Sequence, residues 1–278
     1  MNIGIRLHDV KDGSLAERLE TAHDQGFGCA HVALSKVCDG YKMTLPELTP
    51  GWAMNIKKAF AREDLDVAVL GCYLNLATPD EAALKHTQDI YKAHLRFASI
   101  LGAGVVGTET GAPNVEYKYV PECHTEEALD IFARGLEPVV KYAESVGQII
   151  AVEPVFKHIM WNPVQTRKLL DKISSPNLQV IFDPVNMLDI SNYQNREEIF
   201  AEAMDLLADD IAVLHIKDFQ VVDGALKSVG AGTGEMDYTS ILTFAKAKKP
   251  FIHATLEDTN PANAVSCREF IQKAYDRI

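Results

Sequence analysis

Short apolar runs recur along the chain at 2–7, 29–34, 66–73, 104–108, 149–153, 178–183, 211–215 and 251–256. Each spans five to eight residues, a strand's length rather than a helix's. Each is followed by a segment whose apolar residues fall three or four apart. Leu15, Leu19 and Ala22 share one helical face, and Leu129, Phe132, Leu136 and Val140 share another. Helix starts are marked as well. Ser14 with Glu17 reads as a capping box, Thr78-Pro79-Asp80-Glu81 repeats it with proline at the first helical position, and Asn162-Pro163 opens a further helix. Strand and helix therefore alternate throughout, which predicts a parallel sheet. Eight such units predict α/β architecture closed into a (β/α)8 barrel rather than a doubly wound sheet, as one domain over residues 1–278. No linker or low-complexity stretch interrupts them. Gly4-Ile5-Arg6 lacks the GxGxxG of a dinucleotide fold. The one Gly-rich stretch, GAGTGE at 230–235, follows a polar, hairpin-like segment. It reads either as a weak phosphate cradle or as a flexible loop capped by Asp237.

Composition narrows the function classes. A chain of 278 residues can bury a core without staples. The net charge of −12 opposes nucleic-acid and anionic-membrane partners. The five cysteines are scattered and form no CxxC, so neither a disulfide framework nor a thiolate zinc site is expected. The first residues, MNIGIRLHDV, show no signal-peptide pattern, and no run reaches the ~18 apolar residues of a membrane span. The expectation is a cytoplasmic enzyme.

The chemistry lies at the ends of the last four runs. QIIAVEP ends at Glu153, LQVIFDP at Asp183, IAVLHIKD at His215 and FIHATLED at Glu257. Thirty residues separate the first pair, 32 the second and 42 the third. A βα unit takes roughly 30 residues, so the four occupy equivalent places at the carboxyl rim of consecutive strands, where barrel enzymes keep their active sites. Alone, each has an ordinary reading as a helix cap, an arginine partner or a core histidine. Together they place three carboxylates side by side, a repulsion that a divalent cation removes. One nitrogen and three oxygen donors suit Mn²⁺, Mg²⁺ or Co²⁺, with Zn²⁺ a further choice.

VEP, FDPVN, HIKD, the GxGxxDY that follows it, and the Glu of TLED resemble the xylose isomerase-like TIM barrels. Within them the chain is similar to the sugar phosphate isomerase/epimerase branch that holds the tagatose and psicose 3-epimerases. The resemblance implies one metal per chain, Mn²⁺ first, on Glu153, Asp183, His215 and Glu257, with the two glutamates as acid/base pair. It implies a ketose or related polyol-ketone substrate, proton abstraction to an enediolate, and a homodimer or homotetramer. Two positions depart from the pattern. Asn186 stands where a histidine is usual, and Lys217 and Asp218 where an arginine follows the seventh strand. Both leave the metal set intact and bear on the substrate.

Further candidates line the same rim. Glu109 ends the fourth run and either contacts substrate hydroxyls or is a solvated loop carboxylate. Tyr73 and Asn75 follow the third, and His8 ends the first. Lys217 falls on the same side as His215 and either pairs with a carboxylate or meets substrate. Trp161 either walls the sugar or covers core. Rival readings are a dehydratase or lyase on an inositol-derived ketone, a metal-free sugar-binding barrel, and an AP-endonuclease-like DNA repair enzyme, the last opposed by the acidic surface.

Overall fold

The computed structural model describes residues 1–40 and 44–278. Its barrel strands are β1 (Asn2–Arg6), β2 (Cys29–Val32), β3 (Asp66–Gly71), β4 (Val105–Glu109), β5 (Ile149–Glu153), β6 (Leu178–Phe182), β7 (Ile211–Ile216) and β10 (His253–Leu256). All pair in parallel, and β1 bonds to both β2 and β10, so the sheet closes in the order β1-β10-β7-β6-β5-β4-β3-β2. The TIM barrel is thus present, with the eight strands where the apolar runs place them, give or take two residues at their ends. Among the described residues the two remaining strands, β8 (Asp218–Val222) and β9 (Ala225–Val229), form an antiparallel hairpin outside the barrel. This insertion accounts for the long interval from His215 to Glu257. Its turn is Asp223-Gly224, both with positive φ (51° and 75°), the pairing that a tight two-residue hairpin demands.

Alternation along the strands decides what faces the axis. Cys29, Ala68, Val69, Val105, Ala151, Ile181 and Val213 form an apolar cluster inside the barrel. Their outward neighbours, such as Ile5, Ala30, Ile150, Val152, Val180, Leu214 and Ala254, pack under the surrounding helices. In β5 the sequence Ile149, Ala151, Glu153 is one inward row, and in β7 Val213 and His215 are another. Each row runs from apolar barrel filling to a chemical group at its carboxyl end. Gly4 has no room for a side chain, because a Cβ there would collide with Cys29 on β2.

The helices are α1 (Leu15–Asp24), α2 (Leu34–Val37), α3 (Pro50–Arg62), α4 (Glu81–Leu101), α5 (Glu126–Val146), α6 (Pro163–Lys172), α7 (Arg196–Leu207), α8 (Thr239–Lys248) and α9 (Ala264–Arg277). The Ser14–Glu17 capping box forms, and Asn162 caps α6 by accepting from the Gln165 amide at 2.8 Å. The cap of α4 is corrected. Asp80, not Thr78, accepts from the third amide of the helix, that of Ala83, at 3.0 Å. Thr78 instead accepts from the Asp80 amide at 3.4 Å, so Pro79 lies before the helix. Leu129, Phe132, Leu136 and Val140 are all buried along one face of α5. Among the described residues all five cysteines are free thiols, and no helix is long and apolar enough to cross a membrane.

Candidate active site

Four neighbouring strand ends converge. Glu153 is the last residue of β5, Asp183 follows β6 directly, His215 is the fifth of six residues in β7, and Glu257 follows β10. Nδ1 of His215 lies 3.3 Å from Glu153 Oε2, 3.4 Å from Glu257 Oε1 and 4.0 Å from Asp183 Oδ2. All four residues are buried, and neither ring nitrogen of His215 has a hydrogen-bond partner. Donors each ~2.1 Å from one ion stand roughly 3–3.5 Å apart at tetrahedral or octahedral angles, and about 4.2 Å apart when opposite. The spacings around Nδ1 fall in that range. Glu153, Asp183 and His215 each offer an atom within 4.8 Å of the others, as do His31, His215 and Glu257. An unpartnered buried imidazole among three carboxylates is expensive as it stands. A cation at their centre satisfies it, so these residues could hold a metal.

The electrostatics are uneven. Burial first, and the charge of Glu257 next, push Glu153 up from 4.5 to about 8. Burial also lifts Asp183, from 3.8 to about 6. Glu257 goes the other way. Burial opposes its charge, but the protonated form of His215 and the Lys217 ammonium outweigh it and hold the carboxylate well below its ordinary range. His215 is kept neutral, chiefly by burial.

Lys217 supplies a built-in cation. Its Nζ sits 2.8 Å from Asp183 Oδ2 and 3.1 Å from Glu257 Oε2. Burial disfavours the ammonium, but Asp183, Glu257 and Glu153 outweigh it and raise its pKa. The lysine therefore pairs with carboxylates, the first of its two alternatives in the sequence. Its carbonyl accepts from the Tyr238 hydroxyl at 2.9 Å, and the next residue anchors the Gly-rich loop. Asp218 accepts from four amides, those of Phe219 (2.8 Å), Met236 (2.9 Å), Gly234 (2.9 Å) and Gly232 (3.1 Å). The phosphate reading of GAGTGE is corrected accordingly, because the loop folds around a carboxylate of the chain itself. Asp237 accepts from the Thr239 amide at 2.8 Å, at the start of α8.

Above the four groups lies a cavity of about 390 Å³, lined by Arg6, His8, His31, Ala33, Lys36, Tyr73, Glu109, Glu153, Asn186, Lys217, Ser228, Glu257 and Asp258. Larger hollows open at the amino-terminal end of the barrel (about 440 Å³) and between α8 and α9 (about 540 Å³). Neither contains any of the four converging residues, so the chemistry assigns the smaller one. Asn186 donates to Glu153 Oε1 at 2.6 Å, and its amide donates to Asp183 Oδ1 at 3.0 Å. Glu109 pairs laterally with Glu153 across β4 and β5. It accepts from the Tyr117 hydroxyl at 3.4 Å and lies 3.5 Å from His158 Nδ1. Tyr73 reaches His31 Nε2 at 3.1 Å. His8 lies in the turn after β1, half-buried, with burial and then Arg6 lowering its pKa to about 4. Trp161 is absent from the cavity lining and stacks on His124 at 4.6 Å between ring centres. Asn75 holds the loop after β4 by donating to the carbonyls of Ala112 (2.9 Å) and Asn114 (2.8 Å).

Six lining residues lay outside the sequence-based set (Arg6, His31, Ala33, Lys36, Ser228 and Asp258), and two of them reach Glu257. Arg6 reaches Asp9 at 2.8 Å, Asp258 at 2.9 Å and Glu257 at 3.8 Å. His31 lies 3.4 Å from Glu257 Oε1 and stacks on His215 with ring centres 5.2 Å apart. Both stand on inward rows, Arg6 two residues after Gly4 and His31 two after Cys29. Strand alternation was the signal that could have found them.

The sequence model for the xylose isomerase-like TIM barrel matches residues 19–273. The chain belongs to that family. Among solved structures it is similar to a D-psicose 3-epimerase with D-tagatose from Clostridium cellulolyticum H10, at 15% identity and a TM-score of 0.76, covering 99% of each chain. It is also similar to the probable 3-DHS dehydratase AsbF of Bacillus anthracis, at 12% identity and TM-score 0.74, covering 98% of each. A third is the IOLI protein with a binding zinc atom, at 16% identity and TM-score 0.75, covering 100% of this chain and 99% of that one. No curated protein matches the sequence. At these identities the likeness to the solved structures is one of fold.

Proposed function

We propose that this barrel is a metal-dependent sugar isomerase or epimerase acting on a ketose or related polyol-ketone. The carrying observation is His215 Nδ1, unpartnered and 3.3–4.0 Å from carboxylates on three other strand ends. Glu153, Asp183, His215 and Glu257 would hold one divalent cation, Mn²⁺ first, with Mg²⁺, Co²⁺ and Zn²⁺ as alternatives. When bound, it supplies positive charge to the oxygen that turns negative as a proton leaves the neighbouring carbon.

The remaining work falls to the chain. Glu153 and Glu257 approach the floor of the cavity from β5 and β10, with β6 and β7 between them. One carboxylate takes the proton from one face of the carbon and the other returns it from the opposite face. In the metal-free site burial raises Glu153, which makes its carboxylate a stronger proton acceptor than a free glutamate. Asn186 holds Glu153, and Lys217 holds Glu257. Tyr73, His8 and Glu109 orient the sugar hydroxyls, with Trp161 behind the rim. We further place the substrate among small sugars, the protein in the cytoplasm, and the active unit in a homodimer or homotetramer of single-domain chains.

A screen of ketoses, phosphorylated and not, with Mn²⁺ in D₂O tests this reading. Product carrying deuterium at the inverted carbon supports it. Turnover of no ketose with any of the four metals refutes it. A dehydratase reading rests on the same metal and bases, and loss of water from an inositol-derived ketone would favour it.

A further inference from the structure

Glu109 stands on the cavity wall one strand away from Glu153, its register partner across β4 and β5. Its side chain is 30% exposed. The two carboxylate oxygens have unequal surroundings. Both neighbouring polar groups face Oε2, the Tyr117 hydroxyl donating at 3.4 Å and His158 Nδ1 lying at 3.5 Å. Among the described residues no group donates to Oε1, and no lysine or arginine forms an ion pair with Glu109. His158 is neutral, because burial lowers its pKa to about 4. One oxygen is thus fastened to the protein by neutral groups, and the other is left to the cavity.

The fastening comes from two joined loops. Tyr117 follows β4 with a φ of 54°, a left-handed conformation that an aromatic residue adopts at a cost. Asn114 closes the turn around it, accepting from the Lys118 amide at 3.1 Å and donating to the Lys118 carbonyl at 2.7 Å. Gly111 leaves room for the ring, since a Cβ there would lie 3.2 Å from Tyr117 Cε2. His158 follows β5, with its ring centre 5.5 Å from that of Tyr117. The Met160 amide donates to the Thr110 hydroxyl at 3.0 Å and ties the second loop to the first.

We propose that Tyr117 and His158 are positioning residues that make Glu109 a specificity subsite for one substrate hydroxyl, beyond those a cation would chelate. The inference rests on the sugar reading above and narrows its substrate. A carboxylate oxygen accepts and cannot donate, so the group it takes is an O–H. A substrate lacking that hydroxyl leaves Glu109 desolvated and unpaired. A phosphate at the same place sets a second negative charge beside a carboxylate with no cation in contact. Burial already lifts Glu109 above its ordinary pKa, against the pull of Lys217, so a further negative charge is poorly tolerated.

The probe is the free ketose that the screen above turns over fastest, D-fructose and D-xylulose first. Its monodeoxy and monophosphate derivatives, modified away from the reacting carbons, are assayed with Mn²⁺ by deuterium uptake from D₂O. One position should stand out. Removing its hydroxyl should lower kcat/KM roughly 10- to 100-fold, and phosphorylating it at least as much. In Glu109→Ala the unmodified and deoxy sugars should react within about 3-fold of each other, with Mn²⁺ still bound. Tyr117→Phe and His158→Leu should each shrink the discrimination roughly 3- to 10-fold, chiefly through KM. Absence of any such position, or discrimination of the unmutated size in Glu109→Ala, overturns the proposal. Discrimination lost in Glu109→Ala but intact in both Tyr117→Phe and His158→Leu overturns it as well, by denying them the positioning role. These results leave the sugar reading standing, because deuterium is still taken up. Uptake into no ketose, free or phosphorylated, overturns that reading and this one with it.

Discussion

Loading the centre with a divalent ion should expel protons, and the number follows from the site. In the metal-free protein Glu153 titrates at about 8 and Asp183 at about 6. Glu257 is already ionised and His215 already neutral. At pH 7 Glu153 is then about 0.9 protonated and Asp183 about 0.1, so binding releases about one proton. At pH 9 both are ionised and the release falls to about 0.1. Apparent affinity should climb roughly tenfold per unit near pH 7 and level off above about pH 8. Lys217 contributes nothing, because its raised pKa keeps it charged throughout. Calorimetric titration with Mn²⁺ or Co²⁺ in two buffers of different protonation enthalpy reads the proton count directly. In Glu153→Gln the release at pH 7 should drop to about 0.1 per site, the share left to Asp183. Equal binding enthalpies in both buffers at pH 7, with metal bound, would refute the charge assignment.

The same shift has a stability consequence. The Glu153 pKa is raised on folding, from 4.5 to about 8, so its favourable term is present at low pH and lost as pH rises through that window. Metal-free protein should melt roughly 5 °C lower at pH 9 than at pH 6, and saturating Mn²⁺ should abolish or reverse the trend; a metal-free Tm that rises over this range would contradict it. His215→Ala should weaken metal binding at least ~100-fold while the metal-free protein still unfolds cooperatively, because the imidazole it removes lies at the rim and has no hydrogen-bond partner. Cooperative unfolding lost with affinity retained would make it a core histidine instead. Glu153→Gln and Glu257→Gln should each cost at least ~10² in turnover of an accepted sugar, and solvent-deuterium exchange retained in only one variant would assign the faces. Asp218→Ala strands four backbone amides and should cost about 2–4 kcal/mol in urea unfolding; unchanged stability would deny the loop its anchor.

The barrel was legible because its strands are nearly continuous apolar runs, and Glu153, Asp183 and Glu257 stand where those runs break. His215 was legible from the same phase. What ran past the reading was chemistry lodged inside a run. His31 sits within the all-buried β2, Cys29–Val32, and looks like a core residue until the fold brings Glu257 beside it. Arg6 was hidden by Leu7, which extends the apolar run although the strand stops one residue earlier in a turn. Thr78 and Asp80 both offer capping oxygens around Pro79, and only the backbone decides between them. The partner of Asp218 was beyond local pattern altogether, since its amides come from up to 18 residues later in the chain.

The hairpin of β8 and β9 carries Ser228 into the cavity wall, yet it hangs from the barrel outside the closed sheet. Among the described residues its strands pair only with each other, and the loop that returns from it is tied to the carboxylate of Asp218 and to Phe219 and Gln220. The groups proposed to move protons are on strands that cannot shift without opening the barrel, whereas Ser228 travels on a detachable arm. Natural drift or a combinatorial library can therefore rewrite residues 220–229 as a cassette, exchanging which sugars are admitted while the ionic centre beneath is inherited intact.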